Sequence, residues 1–284
     1  VIEYTPWDTV ICNLASINVA KVNTPDEMEH IFPIITRLLD NVIDLNAYPV
    51  EEAKISAEKY RAIWIGYMWV AQYLAENKLL YWSKEAIERI DELFKEYAFA
   101  TLKASNQLAK ERWAYPAFPW SDFSKGIAFW EEIQDLFWDV YLQGDIEKYW
   151  VRFGYHSAPA PNTSTAWVVW TTAWVVPIYK RYFVETNQIA PTVTIAPNLN
   201  DDNFWFYQEY TRMKMPGVID TVATIQKWID QSVSFEWMFN PADTTPWDLY
   251  NYWMQAWKSG LKTIYYVRSQ SLEVWKEDCA SCSG

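Results

Sequence analysis

Thr263-Ile264-Tyr265-Tyr266-Val267-Arg268 is the stretch on which the reading of the fold turns. It is β-branched and aromatic, as a strand should be. It follows a run read as a helix from about Thr245 to Lys258, and it precedes a tail containing Cys279-Ala280-Ser281-Cys282. Connections that contain a helix join parallel strands, so this strand expects parallel neighbours. Adjacent strand residues point to opposite faces, and Tyr265 and Tyr266 both pack only if the strand is covered on each side. Two readings of the pair stand open: aromatic core residues of a buried strand, or redox-active phenols that pass an electron and a proton through the interior.

Outward from that stretch, strand candidates begin near Thr9, Gly154, Thr192, Ser232 and Thr263, separated by helical segments. That alternation predicts an α/β fold whose right-handed crossovers curl the strands into an open sheet or part of a barrel. Thr24-Pro25-Asp26-Glu27 signals a helix start, and apolar residues recur at helical spacing through Ile31, Ile35, Leu38, Leu39, Val42 and Ile43. Val50 to Ala75 reads as further helix, with Ile63-Trp-Ile-Gly66 ambiguous, and Ser83 caps a helix that runs to about Arg112. Residues 113 to 130 are loop-rich. Phe204 to Met215 and Val218 to Gln231 read as helices. No internal repeat or low-complexity linker divides the chain, so residues 1–268 read as one region and 269–284 as a flexible redox tail.

The 284 residues carry a formal charge of −12, which excludes a nucleic-acid backbone as partner because phosphate neutralisation needs a basic face. The longest apolar stretch, Ala166 to Ile178, is too short to span a bilayer and contains Thr171, Thr172 and Pro177. Three cysteines make no disulfide framework, so a reducing cytoplasm is the expected compartment. His30 and His156 lie far from any cysteine, and no metal site is expected. The chain opens Val1-Ile2-Glu3 without an initiator Met, which suggests a fragment or a processed product.

Two constellations carry chemistry. Pro161-Asn162-Thr163-Ser164-Thr165 follows a strand and opens a helix, so its hydroxyls and free amides offer an anion site or simply a helix cap. Cys279 and Cys282 form a C-x-x-C pair near the chain's end, able to swing and exchange electrons through mixed disulfides. Cys12, on a strand read as buried, is the third thiol.

Cys12-Asn-Leu-Ala-Ser-Ile-Asn18, Leu39-Asp-Asn-Val-Ile-Asp44, Ser105-Asn-Gln-Leu-Ala-Lys-Glu-Arg112, Ile225-Gln-Lys-Trp-Ile-Asp-Gln-Ser232, Gly260-Leu-Lys-Thr-Ile-Tyr-Tyr266 and the terminal dithiol together resemble the large subunit of class I ribonucleotide reductase, over its C-terminal part. The resemblance implies the second five-stranded half of a ten-stranded α/β barrel with helical connections. It implies that Cys12 is one half of the active-site disulfide formed when substrate is reduced, its partner lying upstream. Tyr265 and Tyr266 match the stacked pair that relays a radical from the small subunit. Pro161, Asn162, Thr163, Ser164 and Thr165 match the substrate diphosphate loop, and Cys279 and Cys282 the shuttle pair re-reduced by thioredoxin or glutaredoxin. This chain would bind no cofactor; a metal-dependent radical cofactor would sit in the small subunit. Residues 1 to 11 contain no Asn-x-Cys-x-Glu pattern for the thiyl-forming cysteine. An N-terminal fragment of the large subunit, the small subunit, and a ribonucleoside diphosphate are therefore the implied partners, in a bacterial or phage-infected cytoplasm. The alternatives are a non-catalytic remnant or assembly subunit that binds the reductase partners without turnover, and a free-standing dithiol oxidoreductase.

Composition departs from that family in one respect. Glycine, at 7 of 284 residues, is about a third of the usual ~7%, while tryptophan reaches 19. Trp64, Trp69, Trp113, Trp167, Trp170 and Trp174 stand where the family pattern has Gly, a residue used for positive φ or close backbone approach. Tryptophan entered wrongly for glycine, deliberate alteration and compensated divergence would each produce this; selectivity for one residue type favours the first.

Overall fold

Capping chemistry sets the helix starts. Thr24 opens α1 (Pro25–Leu45) with a reciprocal capping box to Glu27, and Thr245 opens α9 (Pro246–Lys258) with the same device to Asp248. The computed structural model describes residues 8–137, 140–186 and 191–269. In chain order these form β1 (Leu14–Asn18), α1, α2 (Glu51–Tyr60), β2 (Trp64–Met68), α3 (Val70–Glu76) and α4 (Lys84–Arg112). Then come β3 (Ile127–Ala128), β4 (Glu131–Glu132), α5 (Ile133–Phe137), α6 (Val140–Tyr149), α7 (Thr163–Val168), β5 (Tyr182–Thr186) and β6 (Pro191–Ile195). The described part ends with α8 (Met215–Gln226), β7 (Glu236–Phe239), α9 and β8 (Tyr266–Ser269).

The architecture is mixed α/β with no closed sheet among the described residues. The named strands pair two by two: β1 with β2 and β7 with β8 in parallel, β3 with β4 and β5 with β6 antiparallel. Single backbone hydrogen bonds continue the parallel pairs across the gap. Ile63 N–H donates to Tyr155 O and Ala158 N–H to Ile65 O, and Gln231 and Ser234 N–H donate to Ser157 and Pro159 O. The extended segments therefore succeed one another as β1, β2, 155–160, 231–239 and β8, with helices in every connection. α1 and α4 pack on one another, and α4 also carries α8.

Several expectations need correction. Val50 to Ala75 is not one helix: β2 interrupts it, and all five of its residues are buried. The Thr192 stretch is a strand, but it pairs antiparallel with β5 and does not join the parallel succession. Residues 204–214 are turns with a short 3-10 segment, Tyr210–Arg212, and Met215 opens α8. Among the six tryptophans singled out, Trp69, Trp113, Trp170 and Trp174 do adopt positive φ, whereas Trp64 and Trp167 do not.

One buried charge cluster joins the elements. Asp40 of α1 is fully buried and accepts hydrogen bonds from Arg61 Nε and Nη2, Arg112 Nη1 and Arg152 Nε at 2.7–2.9 Å. Arg61 also pairs with Asp44 at 2.8 Å. Burial alone pushes the Asp40 carboxyl up, but the Arg152 hydrogen bond, the Arg61 charge and the Arg112 hydrogen bond outweigh it and hold it below its ordinary value. Its stabilisation is therefore complete above the unfolded value near 3.8 and fades as pH falls from there. Asp40→Asn is expected to cost about 3–5 kcal/mol at neutral pH, as removal of one partner of a buried ion pair does. Urea denaturation would read this loss, and the gap between the two proteins is expected to narrow on acidification.

Candidate functional site

The thiol of Cys12 comes first in the chain. It stands two residues before β1, in coil, and is exposed, which corrects its expected place on a buried strand. Asn13 next to it donates to Leu39 O at 2.8 Å, anchoring the approach to β1 on α1. Cys12 lines a cavity of about 230 Å³ with Asn13, Tyr48, Tyr60, Trp64 and Tyr155. Trp64 packs flat on Tyr155 at 5.8 Å, and its indole N–H donates to Ile11 O at 2.8 Å. Tyr60 and Tyr155 also border a second cavity of about 590 Å³ with Tyr115, Asp122, Asp230 and Lys262. Cys12 stands two residues before β1, Tyr60 ends α2 four residues before β2, and Tyr155 opens the 155–160 segment, so this pair of cavities lies at the N-terminal ends of the parallel strands.

The 161–165 loop leaves the opposite end of the 155–160 segment. Asn162 is left-handed (φ 39°) and caps α7 without a side-chain hydrogen bond to the helix. Its amide instead donates to Ser16 Oγ at 3.2 Å and Tyr67 O at 3.4 Å, and its Oδ1 accepts from the residue 174 N–H at 3.0 Å. Asn162 thus stands at the N-cap of α7 while its side chain ties the loop to β1 and β2. Gly66 allows this close packing, since a Cβ there would stand 3.0 Å from Ser16 Oγ and 3.4 Å from Ala160 N.

Tyr265 and Tyr266 meet. Their ring centroids are 4.2 Å apart, and Tyr266 Oη donates to Tyr265 Oη at 3.5 Å. Neighbours within a regular strand could not do this; Tyr265 lies just outside β8, its N–H bonded to Phe235 O. At 43% and 46% exposure the pair is not core, and the buried-strand reading is overturned. The Tyr265 phenol is held above its ordinary pKa by its hydrogen bond with Tyr266 and by the charge of that neighbour. In register with Tyr266 stands Glu236, buried and ion-paired with Arg268, whose guanidinium sits 5.0 Å from the Tyr266 ring. Burial raises the Glu236 carboxyl, and the Arg268 charge opposes that shift. Cys279 and Cys282 lie outside the described residues.

Sequence reasoning missed the polar framework under these groups. His156 is buried between Ser105 Oγ (2.9 Å from Nε2) and Asp230 Oδ2 (3.3 Å from Nδ1), and Asp230 also accepts from the His156 and Ser157 backbone N–H. The available signal was a polar residue on an apolar helix face: Ser105 falls on the buried side of α4 with Leu102, Leu108 and Ala109. Among the described residues no group of His, Cys, Asp and Glu could hold a metal ion, and no helix is long and apolar enough to cross a membrane.

An exposed thiol beside a cavity, a loop tied to two parallel strands and a contacting tyrosine pair are thus carried on one α/β scaffold. The family model described as "Ribonucleotide reductase, barrel domain" matches residues 1–195 and 184–267, and the chain belongs to that family. It is similar to the ribonucleoside-diphosphate reductase subunit alpha of Helicobacter pylori strain 26695, 37% identical over 93% of this chain and 35% of the relative. The subunits alpha of Synechocystis sp. PCC 6803 (35% identical, 97% of this chain and 38% of the relative) and Treponema pallidum (33% identical, 98% and 33%) are similar as well. The chain spans about a third of the length of these relatives. Its exposure predicts that Cys12 is alkylated rapidly in the native chain; peptide mapping after a brief iodoacetamide pulse checks this, and protection until denaturant is added would contradict the geometry.

Proposed function

We propose that this chain is the C-terminal portion of a ribonucleoside-diphosphate reductase large subunit, forming with an N-terminal portion a ten-stranded α/β barrel of which it supplies five strands. Residues 1–268 form the barrel part, and 269–284 a redox-active tail. The observation that carries the reading is the Tyr265–Tyr266 contact. Two phenols with oxygens 3.5 Å apart can exchange a hydrogen atom, a proton with its electron, so that a phenoxyl radical on one moves to the other with no net charge displaced. An exposed pair accepts such a radical from a partner protein, the small subunit that holds the metal-dependent radical cofactor.

The phosphate loop and the thiol take the two ends of one substrate. Ser16, which Asn162 contacts, is four residues from Cys12, a rise of roughly 13 Å in extended chain. Pro161, Asn162, Thr163, Ser164 and Thr165 would hold the diphosphate, and Cys12 with an upstream cysteine would supply two electrons and two protons. The ribonucleotide then loses its 2′-hydroxyl as water while the two thiols become a disulfide. Cys279 and Cys282 would reduce that disulfide by thiol–disulfide exchange and be reduced in turn by thioredoxin or glutaredoxin. The work is cytoplasmic in this reading.

Reconstitution with the N-terminal portion, small subunit, reductant and a ribonucleoside diphosphate tests the proposal. Tyr266→Phe is expected to abolish deoxynucleotide formation while the circular dichroism spectrum stays unchanged, because Phe keeps the ring and loses the exchangeable hydrogen. Normal turnover by that variant would remove the relay. Cys279→Ser is expected to abolish turnover with thioredoxin; undiminished thioredoxin-driven turnover would remove the shuttle.

A further inference from the structure

We infer that Trp69, Trp113, Trp130, Trp150, Trp170 and Trp174 occupy glycine sites, and that the gene encodes them with UGA, a codon its cell reads as glycine. The inference stands independently of the function proposed above.

Backbone conformation is the first support. Eleven non-glycine residues among those described have positive φ, and six of them are these tryptophans, with φ from 53° to 82°. Positive φ in a bulky residue is a genuine outlier. Trp113, at φ 68° and ψ 167°, lies in a region that is essentially restricted to glycine. The positions are also those where chains use glycine. Trp113, Trp150 and Trp170 each follow the end of a helix, α4, α6 and α7, a place where glycine is common.

Gly260 provides an internal comparison. After α9 its N–H bonds Trp257 O while Leu261 N–H bonds Ala256 O, at φ 80°. Trp170 repeats the pattern after α7, with its N–H on Trp167 O and Thr171 N–H on Ala166 O. Trp130 is the second residue of the two-residue loop between β3 and β4, and both loop residues, Phe129 and Trp130, have positive φ. A type I′ turn prefers glycine at that second place.

The side chains are consistent with this. Trp69 and Trp174 are buried, yet neither indole N–H has a hydrogen-bond partner, a lack that buried Trp237 shares without positive φ. A buried tryptophan normally satisfies that donor. Trp113 and Trp130 instead hold their rings 78% and 81% exposed. Trp228 behaves differently: it is buried, lacks positive φ, and its N–H donates to Asp91 Oδ1 at 2.7 Å. The chain is short of glycine and long in tryptophan, as one exchange in one direction requires.

Six separate mutations to the residue least suited to each site would be needed to reach this pattern. One change in the meaning of one codon reaches it at once. UGA means tryptophan in one variant of the genetic code and glycine in another, and the tryptophan meaning turns a glycine-bearing chain into this one. The consequence for the candidate site is direct. With glycine at 170 and 174, two indoles leave the neighbourhood of the 161–165 loop, while the residue 174 N–H that bonds Asn162 remains.

The gene and the native protein test the inference together. The six codons in the genomic DNA are expected to be UGA, with UGG at Trp228; UGG at the six would overturn the inference. Peptides of the protein purified from cells that carry the gene are expected to have glycine masses at the six positions and the tryptophan mass at 228. Tryptophan masses at the six would overturn it even if the codons are UGA.

Discussion

The burial of one carboxylate ties the first parallel segments to the helices around them. Asp40 gathers Arg61 from the turn before β2, Arg112 from the end of α4 and Arg152 from the approach to the third extended segment. A buried ion without its partners costs several kcal/mol, so these segments cannot separate without large loss. Three guanidinium charges face Asp40, and Asp44 offsets part of the excess at Arg61. β2 begins three residues after Arg61 and the 155–160 segment three after Arg152, so the cluster fixes where two of the parallel segments start.

The same constraint explains which motifs made the chain recognisable. Leu39–Asp44 supplies Asp40; Ser105–Arg112 supplies Arg112 and the Ser105 hydroxyl that meets His156; Ile225–Ser232 supplies Asp230. These stretches build the support beneath the chemistry. Cys12, the 161–165 loop and the tyrosine pair are carried at the ends of the segments so positioned. A loop that leaves one end and a thiol that enters at the other are held at a set separation because Ser16, between them, is hydrogen-bonded to the loop.

Helix ends were readable because caps are local: Thr24, Ser83 and Thr245 each bond an amide three residues on. β2 was not, since a fully buried strand has no alternation to distinguish it from a buried helix. Residues 204–215 carry helical spacing, yet they form turns and a short 3-10 segment, and the helix opens only at Met215. At the candidate site the residue types and their order were legible, including the tyrosine pair and the loop. The exposure of Cys12 was not, because an apolar, β-branched run looks buried whatever covers its edge.

The sequence by itself determined the family, the α/β alternation and the capped helices, since these depend on contacts within a few residues or on a preserved order of motifs. Only the tertiary structure decided that Asp40, Arg61, Arg112 and Arg152 meet, that Asn162 serves β1, and that the Tyr265 and Tyr266 rings touch. Those contacts join groups up to 146 residues apart, or depend on where a strand begins to be regular. Neither is written in local propensity, because each follows from how distant backbones pair and from the cost of leaving a buried polar group alone.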